Sequence, residues 1–411
     1  MDSARADMLA ARSHLETQGW VSRRSEPFRH LPPPALAQWL GQDGDGCDAP
    51  VLAGSGWTLT PMGSTPASGF EARWLDALSP EQRTELFAGL PAPGGDDAPF
   101  AWAHRALCRQ GLRLTVKAQP GKPGQDTVWL QLRHLPRAQA EAPLLVLDLQ
   151  PGVRCVLLES HEHESAQCGK ALAQNLQLHV RLAPGASLQH LRVVAPDAQD
   201  SLAHNVHATL AAGAEYSQAL VATGAGYHLQ RNTVDLMGPG AKTHHAALLL
   251  VGEKQLDQQV YTHMQTAHTT SDVHTLALAQ GKAHVVANAH TRIAQGADEA
   301  DVRQRLSGVP LAGNPRLVLR PHMEILHDNV QAAHGATWGA LPEDALFYAR
   351  QRGLDAVSAR TLIIEGMARA LLERCLPATG ESDLLGQWLA SGWLTQAIER
   401  HLSPAQEVQH G

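Results

Sequence analysis

The sequence of 411 residues has few of the features that identify common enzyme and membrane classes. It contains only 5 Phe and 4 Tyr, and its 5 cysteines are scattered without a CxxC pair. An odd, widely spaced set of cysteines argues against a disulfide framework and favours a reducing compartment. Neither GxxxxGK[ST] nor a strand-linked GxGxxG is present, so the chain lacks a nucleotide-binding loop of its own. GxSxG and HExxH motifs are also missing, which removes two common hydrolase signatures.

Long apolar segments are missing as well. The longest apolar runs, including Pro143–Leu149 and Ala246–Val251, are too short to span a bilayer. The N-terminus has no apolar signal core, so we expect a cytoplasmic protein without a membrane partner. The net charge of −7 comes from an even mixture of signs, which gives no reason to expect nucleic acid as a partner.

What the sequence does contain is a change of hydrophobic period at each end of a long central region. Residues 1–110 are expected to be helical and irregular, with breaker-rich linkers between short helices. Three helices are predicted there: Ala4–Gln18, a capped segment from Ser79 to Phe87, and Phe100–Arg109.

The central region, residues 111–341, has the period of β-strands. Apolar residues alternate with polar ones, as in Leu112, Leu114 and Val116, and no convincing long helix interrupts the pattern. Alternation at period two indicates strands with one buried face. The region is therefore predicted to be mainly β.

A repeat within this region indicates how the strands are arranged. Strand-like segments lead into tight turns at Gly185, Gly213 and Gly240, which are 28 and 27 positions apart. A recurrence of this length is typical of one coil of a parallel β-helix, because each coil buries its apolar stripe only against its neighbours. A β-sandwich is the alternative, but its strands usually recur every 8–12 residues or so without a coil-length period. We favour the β-helix.

Residues 342–411 return to the helical period. Pro342, two acids and Gly353 delimit a helix over Glu343–Arg352, and Asp355 is a suitable N-cap for a second helix that reaches about Glu373. A third helix follows Ser382, and Gly392 is a candidate break within it. The chain is thus predicted to have a β-helix core flanked by helical regions.

The 23 histidines include one dense cluster of candidate ligands. On a strand, His161 and His163 would share a face and could hold one metal ion. The same alternation places Glu162 and Glu164 on the other face, as in a solvated loop, and we favour that reading. The pairs His204/His207 and His244/His245 are weaker candidates, because each pair falls on opposite faces of a strand.

Two cysteines are candidate nucleophiles or sulfur carriers. Cys155 lies in the apolar run VRCVLLE, which favours a small buried hydrophobic residue over a reactive thiol. Cys168 lies in a polar segment and is the more exposed candidate, although its reactivity depends on surroundings that the sequence does not show.

The block PHMEILHDNVQAAHGATWGALPEDALFYARQRGLDAVSARTLIIEGMARALLERC, residues 321–375, resembles the C-terminal signature of the SufB/SufD family of iron–sulfur cluster assembly subunits. Its matching features are the extended strand, His-Gly-Ala-Thr, Leu-Phe-Tyr, Arg-Gly-Leu and the amphipathic helix. Weaker matches occur at Pro184–His190 and Arg231–Thr233. A SufB-type subunit has a cysteine in the corresponding strand, whereas Ala332 and Ala333 precede His334 here, which resembles the SufD branch.

The resemblance implies a right-handed parallel β-helix flanked by helices, in a non-enzymatic subunit that pairs with a SufB-like protein. It also implies a SufC-like ATPase as a partner of the C-terminal helices, and a reduced flavin bound by the complex. Whether the isolated chain forms a homodimer stays open from the sequence. The residue that matches the family's interface histidine is His334. Its role is either to ligate a nascent iron–sulfur cluster shared with the partner or to form a hydrogen bond across the interface.

The C-terminal helices supply the remaining expected partner contacts. These candidates are Leu346, Phe347, Tyr348, Ile364 and Met367. A helix stripe such as the one that contains Ile364 and Met367 is more often plain core, so the contacting residues stay open from the sequence. Two other functions stay open from the sequence: a SufB-like scaffold that binds the cluster itself, and a β-helical carbohydrate-active enzyme.

Overall fold

The structure is a computed structural model that describes residues 3–22, 24–41, 53–63, 65–96, 98–118, 127–162, 171–378 and 383–402. The centre of the chain is a parallel β-solenoid of about seven turns, and helices lie at both ends. The predicted mainly β fold and the β-helix are therefore confirmed, and the β-sandwich alternative is wrong. The handedness of the solenoid stays a prediction.

Four α-helices lie before the solenoid and four follow it within the described residues. The first four are α1 Ser3–Gln18, α2 Leu36–Leu40, α3 Pro80–Phe87 and α4 Ala98–Leu107. The last four are α5 Glu343–Gln351, α6 Ala356–Cys375, α7 Leu384–Ala390 and α8 Trp393–Leu402. None of them is both long and apolar enough to cross a membrane.

The ends of these helices lie close to their predicted positions. Ser79 caps α3 by accepting a hydrogen bond from the backbone N–H of Gln82, and Asp355 caps α6 by accepting from Val357 and Ser358. The third C-terminal segment divides into α7 and α8 at Gly392, whose φ of 74° ends the helix at the predicted break.

Nineteen strands form the solenoid and its cap. They are β1 Trp57–Pro61, β2 Phe70–Asp76, β3 Gln110–Val116, β4 Thr127–His134, β5 Ala140–Glu141, β6 Leu144–Leu149, β7 Arg154–Glu162, β8 Ala173–Leu182, β9 Ser187–Ala195, β10 Ser201–Leu210, β11 Glu215–Thr223, β12 Tyr227–Leu236, β13 Lys242–Val251, β14 Gln255–Met264, β15 Thr270–Gly281, β16 His284–Ile293, β17 Ala300–Gly313, β18 Arg316–Ile325 and β19 Val330–Trp338.

The strands alternate between two sheets. Sheet A has the order β1-β4-β7-β9-β11-β13-β15-β17-β19, and sheet B has the order β18-β16-β14-β12-β10-β8-β6-β3-β2. All neighbours pair in parallel except β1 with β4 and β2 with β3, which are antiparallel. The first 110 residues, expected to be only helical and irregular, therefore also contribute two strands. Their apolar segments are short, and their pairing partners lie far along the chain.

The predicted glycine turns stack into one column along the solenoid. Gly185, Gly213 and Gly240 all have positive φ, and the backbone N–H of each donates to a carbonyl in the turn of the next coil. Only glycine adopts this left-handed conformation without steric cost. In the following coil His268 takes the same position at φ 58°. The repeat read from the sequence is thus the coil repeat.

Helices cover the outer faces of both sheets in the middle coils. Aromatic side chains of α2 and α4 pack on sheet B near Tyr227, while Ile364 and Leu372 of α6 pack on outer residues of sheet A such as Leu248. The period-two pattern indicated one buried face, but these strands are buried on both. Parallel strands covered on both faces read as nearly continuous apolar runs, which explains segments such as 246–251.

The interior of the solenoid also holds a network of polar side chains. The carboxylate of Glu159 accepts hydrogen bonds from His161, His190 and Arg192, over 2.5, 2.9 and 2.9 Å. Burial raises the pKa of the Glu159 carboxyl, but the Arg192 guanidinium and the two imidazoles outweigh it and hold the pKa well below its usual value. His204 continues the network from Arg192.

Two more buried histidines, His228 and His245, lie further along the same interior. The amide of Gln258 donates to Nε2 of His245 over 3.1 Å, which suits a neutral imidazole. Burial lowers the pKa of His228 to about 4 and that of His245 to about 3. The imidazoles of His228 and His245 form hydrogen bonds with other buried groups rather than with water. The polar interior therefore requires these histidines to be neutral.

We predict that the protein loses stability as the pH falls from 7.5 to 5. Between about pH 6.5 and pH 4 the histidines of the unfolded chain become protonated, whereas the buried histidines of the folded chain stay neutral. Falling pH therefore favours unfolding. Each such histidine contributes a slope on the order of 1 kcal/mol per pH unit. Guanidinium midpoints at the two pH values measure the effect. His245→Gln should flatten the dependence, whereas His322→Gln, at an exposed histidine, should not. Equal midpoints for the wild type would contradict the prediction.

Candidate functional site

The last coil of the solenoid leaves two strand edges unpaired. Within the described residues, β19 pairs only with β17, and β18 pairs only with β16. Their free edges present backbone N–H and C=O groups, which is the arrangement that accepts a strand from another chain. This end of the solenoid is therefore a ready surface for edge-to-edge pairing.

The inner face of this last coil is almost entirely apolar. By strand alternation, ten side chains of β18 and β19 face the interior. They are Leu317, Leu319, Pro321, Met323, Ile325, Val330, Ala332, His334, Ala336 and Trp338. His334 is the only ionisable member. Ile325 is 45% exposed and Trp338 is 60% exposed, because no further coil covers them. An apolar surface of this kind typically marks a site of association.

His334 occupies the inner row of sheet A. Successive coils place Leu157, His190, Gln218, His245, Val273, Gln304 and His334 in one register column. His334 is exposed only because it is the last member. Ala332 shares its inner face, while Ala333 and Gly335 point outward. The side chain expected to act at the interface thus lies at the open edge, and no thiol lies beside it on its strand.

Sequence reasoning missed the polar residues of the solenoid interior, of which Gln304 belongs to this column. The interior polar residues, including Glu159, Arg192 and Gln304, received no role from the sequence. The signal for Gln304 was present: it interrupts the apolar stripe of β17 between Val302 and Leu306. A polar residue at an inward position of an otherwise apolar stripe indicates either an internal network or a site.

The expected contacts on the C-terminal helices divide into two groups. Phe347 is 66% exposed and Tyr348 is 58% exposed, and both project from α5 beside half-buried Leu346. Ile364 is fully buried against sheet A, and Met367 packs on the same cluster. The structure corrects the expectation for Ile364: its stripe is core, because α6 needs that face to cover the solenoid.

A second apolar surface surrounds Phe347. Leu354 lies beside it, and Val357 and Leu362 of α6 are also exposed. A depression of about 490 Å³ lies between the two helices and is lined in part by Phe347, Leu354 and Asp355. Only four residues separate the end of β19 from α5, which carries this helical surface.

Where the structure describes them, the histidine candidates do not come together as a metal centre. His161 is buried and bonded to Glu159, whereas His163 and Glu164 lie outside the described residues. His204 points inward and His207 outward, as their spacing required, and His244 and His245 diverge in the same way. Across the described ranges, no group of three or more His, Cys, Asp or Glu is placed to hold a metal ion.

Cys155 is a buried hydrophobic residue, as expected. It lies in the interior cluster, and burial raises the pKa of its thiol to about 12. The thiols of Cys108 and Cys375 are also buried, and burial raises the pKa of both. A thiol held protonated in this way is a poor nucleophile. Cys168 lies outside the described residues, so its candidate role is untested.

Comparison with known proteins gives one family match that covers more than half of the chain. Residues 134–367 match the family model described as "SUF system FeS cluster assembly, SufBD core domain". This range runs from the last residue of β4 to α6 and includes the open coil with His334.

Three curated relatives are similar to the chain at low identity. An iron–sulfur cluster assembly SufBD family protein of Synechocystis is 25% identical over 56% of this chain and 52% of its own length. The chloroplastic protein ABCI7 of Arabidopsis thaliana is 26% identical over 40% of this chain and 35% of its own. The iron–sulfur cluster assembly protein SufD of Escherichia coli is 24% identical over 79% and 85%. The chain thus spans about half, or less, of the first two relatives.

Proposed function

The chain belongs to the SufB/SufD family of iron–sulfur cluster assembly proteins, and on that premise we propose that it is a SufD-like, non-enzymatic subunit of a Suf assembly complex. The observation that carries this proposal is the open last coil, whose apolar inner face has one ionisable side chain, His334. The similarity to SufD of Escherichia coli extends over most of both chains. The family match favours this role over the carbohydrate-active alternative.

The partner at the open edge is proposed to be a SufB-like subunit. Pairing through the free edge of β19 would satisfy its backbone groups and cover Ile325 and Trp338. His334 would then lie within the interface, where a neutral imidazole can ligate iron of a nascent cluster. Because His334 is not part of a set of three ligands among the described residues, the partner would have to supply the other ligands.

A SufB-like role for this chain is the second candidate within the family. It would require a thiol beside the inner histidine of the edge strand. The inner neighbours of His334 on β19 are Ala332 and Ala336, and neither can ligate iron. We therefore propose that the chain helps to form the cluster rather than holding it alone.

The ATPase partner is proposed to dock on the helical surface around Phe347. The chain has no nucleotide-binding loop, so ATP hydrolysis must come from another subunit. Phe347 and Tyr348 are large, exposed aromatic residues of the type that carries binding energy in interfaces. Their surface adjoins the end of β19, which provides a short path from the ATPase to the edge with His334.

The flavin that the resemblance implies needs a large cavity with ring-stacking walls. A groove of about 980 Å³ lies between α1, α4 and the outer face of sheet B, and its walls include Phe87, Trp102, His179, His207 and Tyr261. At its floor the amide Nε2 of buried Gln177 has no hydrogen-bond partner among the described residues. These residues fit a flat polar ring, and we propose that they would hold the flavin. Bound reduced flavin would supply electrons for cluster formation.

We predict that His334→Ala leaves assembly intact but lowers cluster formation at least tenfold, because one iron ligand is lost. The measurement reconstitutes clusters with a SufB-like subunit and a SufC-like ATPase. His322→Ala, an exposed histidine on the outer face of the same coil, is the matched control. Normal cluster formation by His334→Ala would remove the ligand role, and loss of assembly would favour a hydrogen bond across the interface. A wild-type chain that does not join the complex would contradict the proposed function.

We predict that Phe347→Asp weakens binding of the SufC-like ATPase at least tenfold, because it places a charge in an apolar interface. Isothermal titration calorimetry with the purified ATPase measures the change. Met237→Asp is the control, since Met237 is an exposed apolar residue just after β12. Equal affinities for the wild type and Phe347→Asp would place the dock elsewhere.

We predict that reduced flavin mononucleotide binds the isolated chain and that Gln177→Leu weakens this binding about tenfold, the effect of losing one hydrogen bond. Anaerobic calorimetry gives both affinities. Gln199→Leu, at an exposed glutamine outside the groove, should leave the affinity unchanged. A wild-type chain that shows no heat of binding would rule out the flavin proposal for this groove.

A further inference from the structure

Gln304 lies directly beside His334 in the register of the two last strands of sheet A. The two residues are paired across β17 and β19, so their side chains leave the sheet on the same inner side. Neighbouring strands lie about 4.8 Å apart, which brings paired side chains within reach of a hydrogen bond. Gln304 is only 3% exposed, whereas His334 is open to solvent.

The orientation of the Gln304 amide is fixed by its contacts. Nε2 donates to the hydroxyl of Thr291 over 2.9 Å and to the backbone carbonyl of His322 over 3.1 Å. A carbonyl oxygen only accepts, so the NH₂ group must occupy this side, and Oε1 must point the other way. The amide is therefore a fixed acceptor rather than a group that can turn over.

Oε1 of Gln304 is buried and has no hydrogen-bond partner among the described residues. Buried acceptors without partners are uncommon, and one that persists calls for an explanation. Val273 precedes it in the column and Leu306 lies next to it on β17, and neither of these side chains can donate a hydrogen bond. In the register column, His334 is the neighbour that carries an N–H.

We propose that Gln304 is a positioning residue for His334: the exposed imidazole, which is not bonded to Gln304 in this structure, turns so that Nδ1–H donates to Oε1 and the lone pair of Nε2 is directed at the open edge. This inference rests on the proposed function of His334. Nδ1 is the ring nitrogen nearer the strand, and Nε2 is the one that reaches further out. Histidines that bind metal ions usually donate their second N–H to a fixed acceptor, which sets the tautomer and the ring orientation.

The tautomer of His334 in the isolated chain tests the proposal. Neutral histidine in water favours the tautomer with the proton on Nε2, so a proton on Nδ1 is diagnostic. With ring-¹⁵N-labelled histidine at pH 8.5, where histidine is ordinarily neutral, the His334 signals are assigned by their loss in His334→Gln. We expect the Nδ1–H tautomer in the wild type and a change to Nε2–H in Gln304→Leu. Gln304→Met, which also lacks the acceptor, should give the same change.

Gln258→Leu is the matched control, because Gln258 is an equally buried interior glutamine that is not paired with His334. It should leave the His334 tautomer unchanged. A wild-type His334 with its proton on Nε2, or one unaffected by both Gln304 variants, would overturn the proposal. No partner subunit is needed for this measurement, so its failure differs from failure of the proposed function. In the reconstituted complex, Gln304→Leu should lower cluster formation tenfold to about a hundredfold while assembly is retained.

Discussion

A solenoid satisfies the backbone of each coil by pairing it with the next, so its last coil must keep an unpaired edge. Every feature of the candidate site follows from this constraint. β18 and β19 present free edges, their inner faces lack a covering coil, and an interior position becomes a surface position at His334. A partner that continues the stacking would pair the backbone edge of this coil and cover its inner face, as the next coil does for each earlier one.

The same stacking explains why polar groups are tolerated inside the solenoid. Coils align residues of equal position, so Glu159 lies beside Arg192 and Gln218 beside His245. Buried polar groups are stable only when they are paired, and the register supplies partners at each step. At the open end this supply stops, which leaves Oε1 of Gln304 unpaired next to the last histidine of the column.

The two proposed interfaces are close in the chain and differ in character. The edge of β19 offers backbone groups and small apolar side chains, whereas α5 and α6 offer exposed aromatic and aliphatic residues such as Phe347. Ile364 shows that one helix can have an exposed face for a partner and a buried face that belongs to the core. It belongs to the same helix as exposed Leu362, but it faces the sheet and stabilises the attachment of α6 to the solenoid.

The sequence by itself determined the strand period, the coil repeat with its glycine turns, the helix caps and the place where strands give way to helices. These depend on local conformation, and residues such as Gly240, Ser79 and Asp355 specify it directly. Only the tertiary structure decided that β1 and β2 join the sheets, that Ile364 is core, and that Glu159 and Gln304 form interior contacts. Such contacts join residues far apart in the chain, and a periodic pattern shows which face a side chain occupies but not which partner it meets.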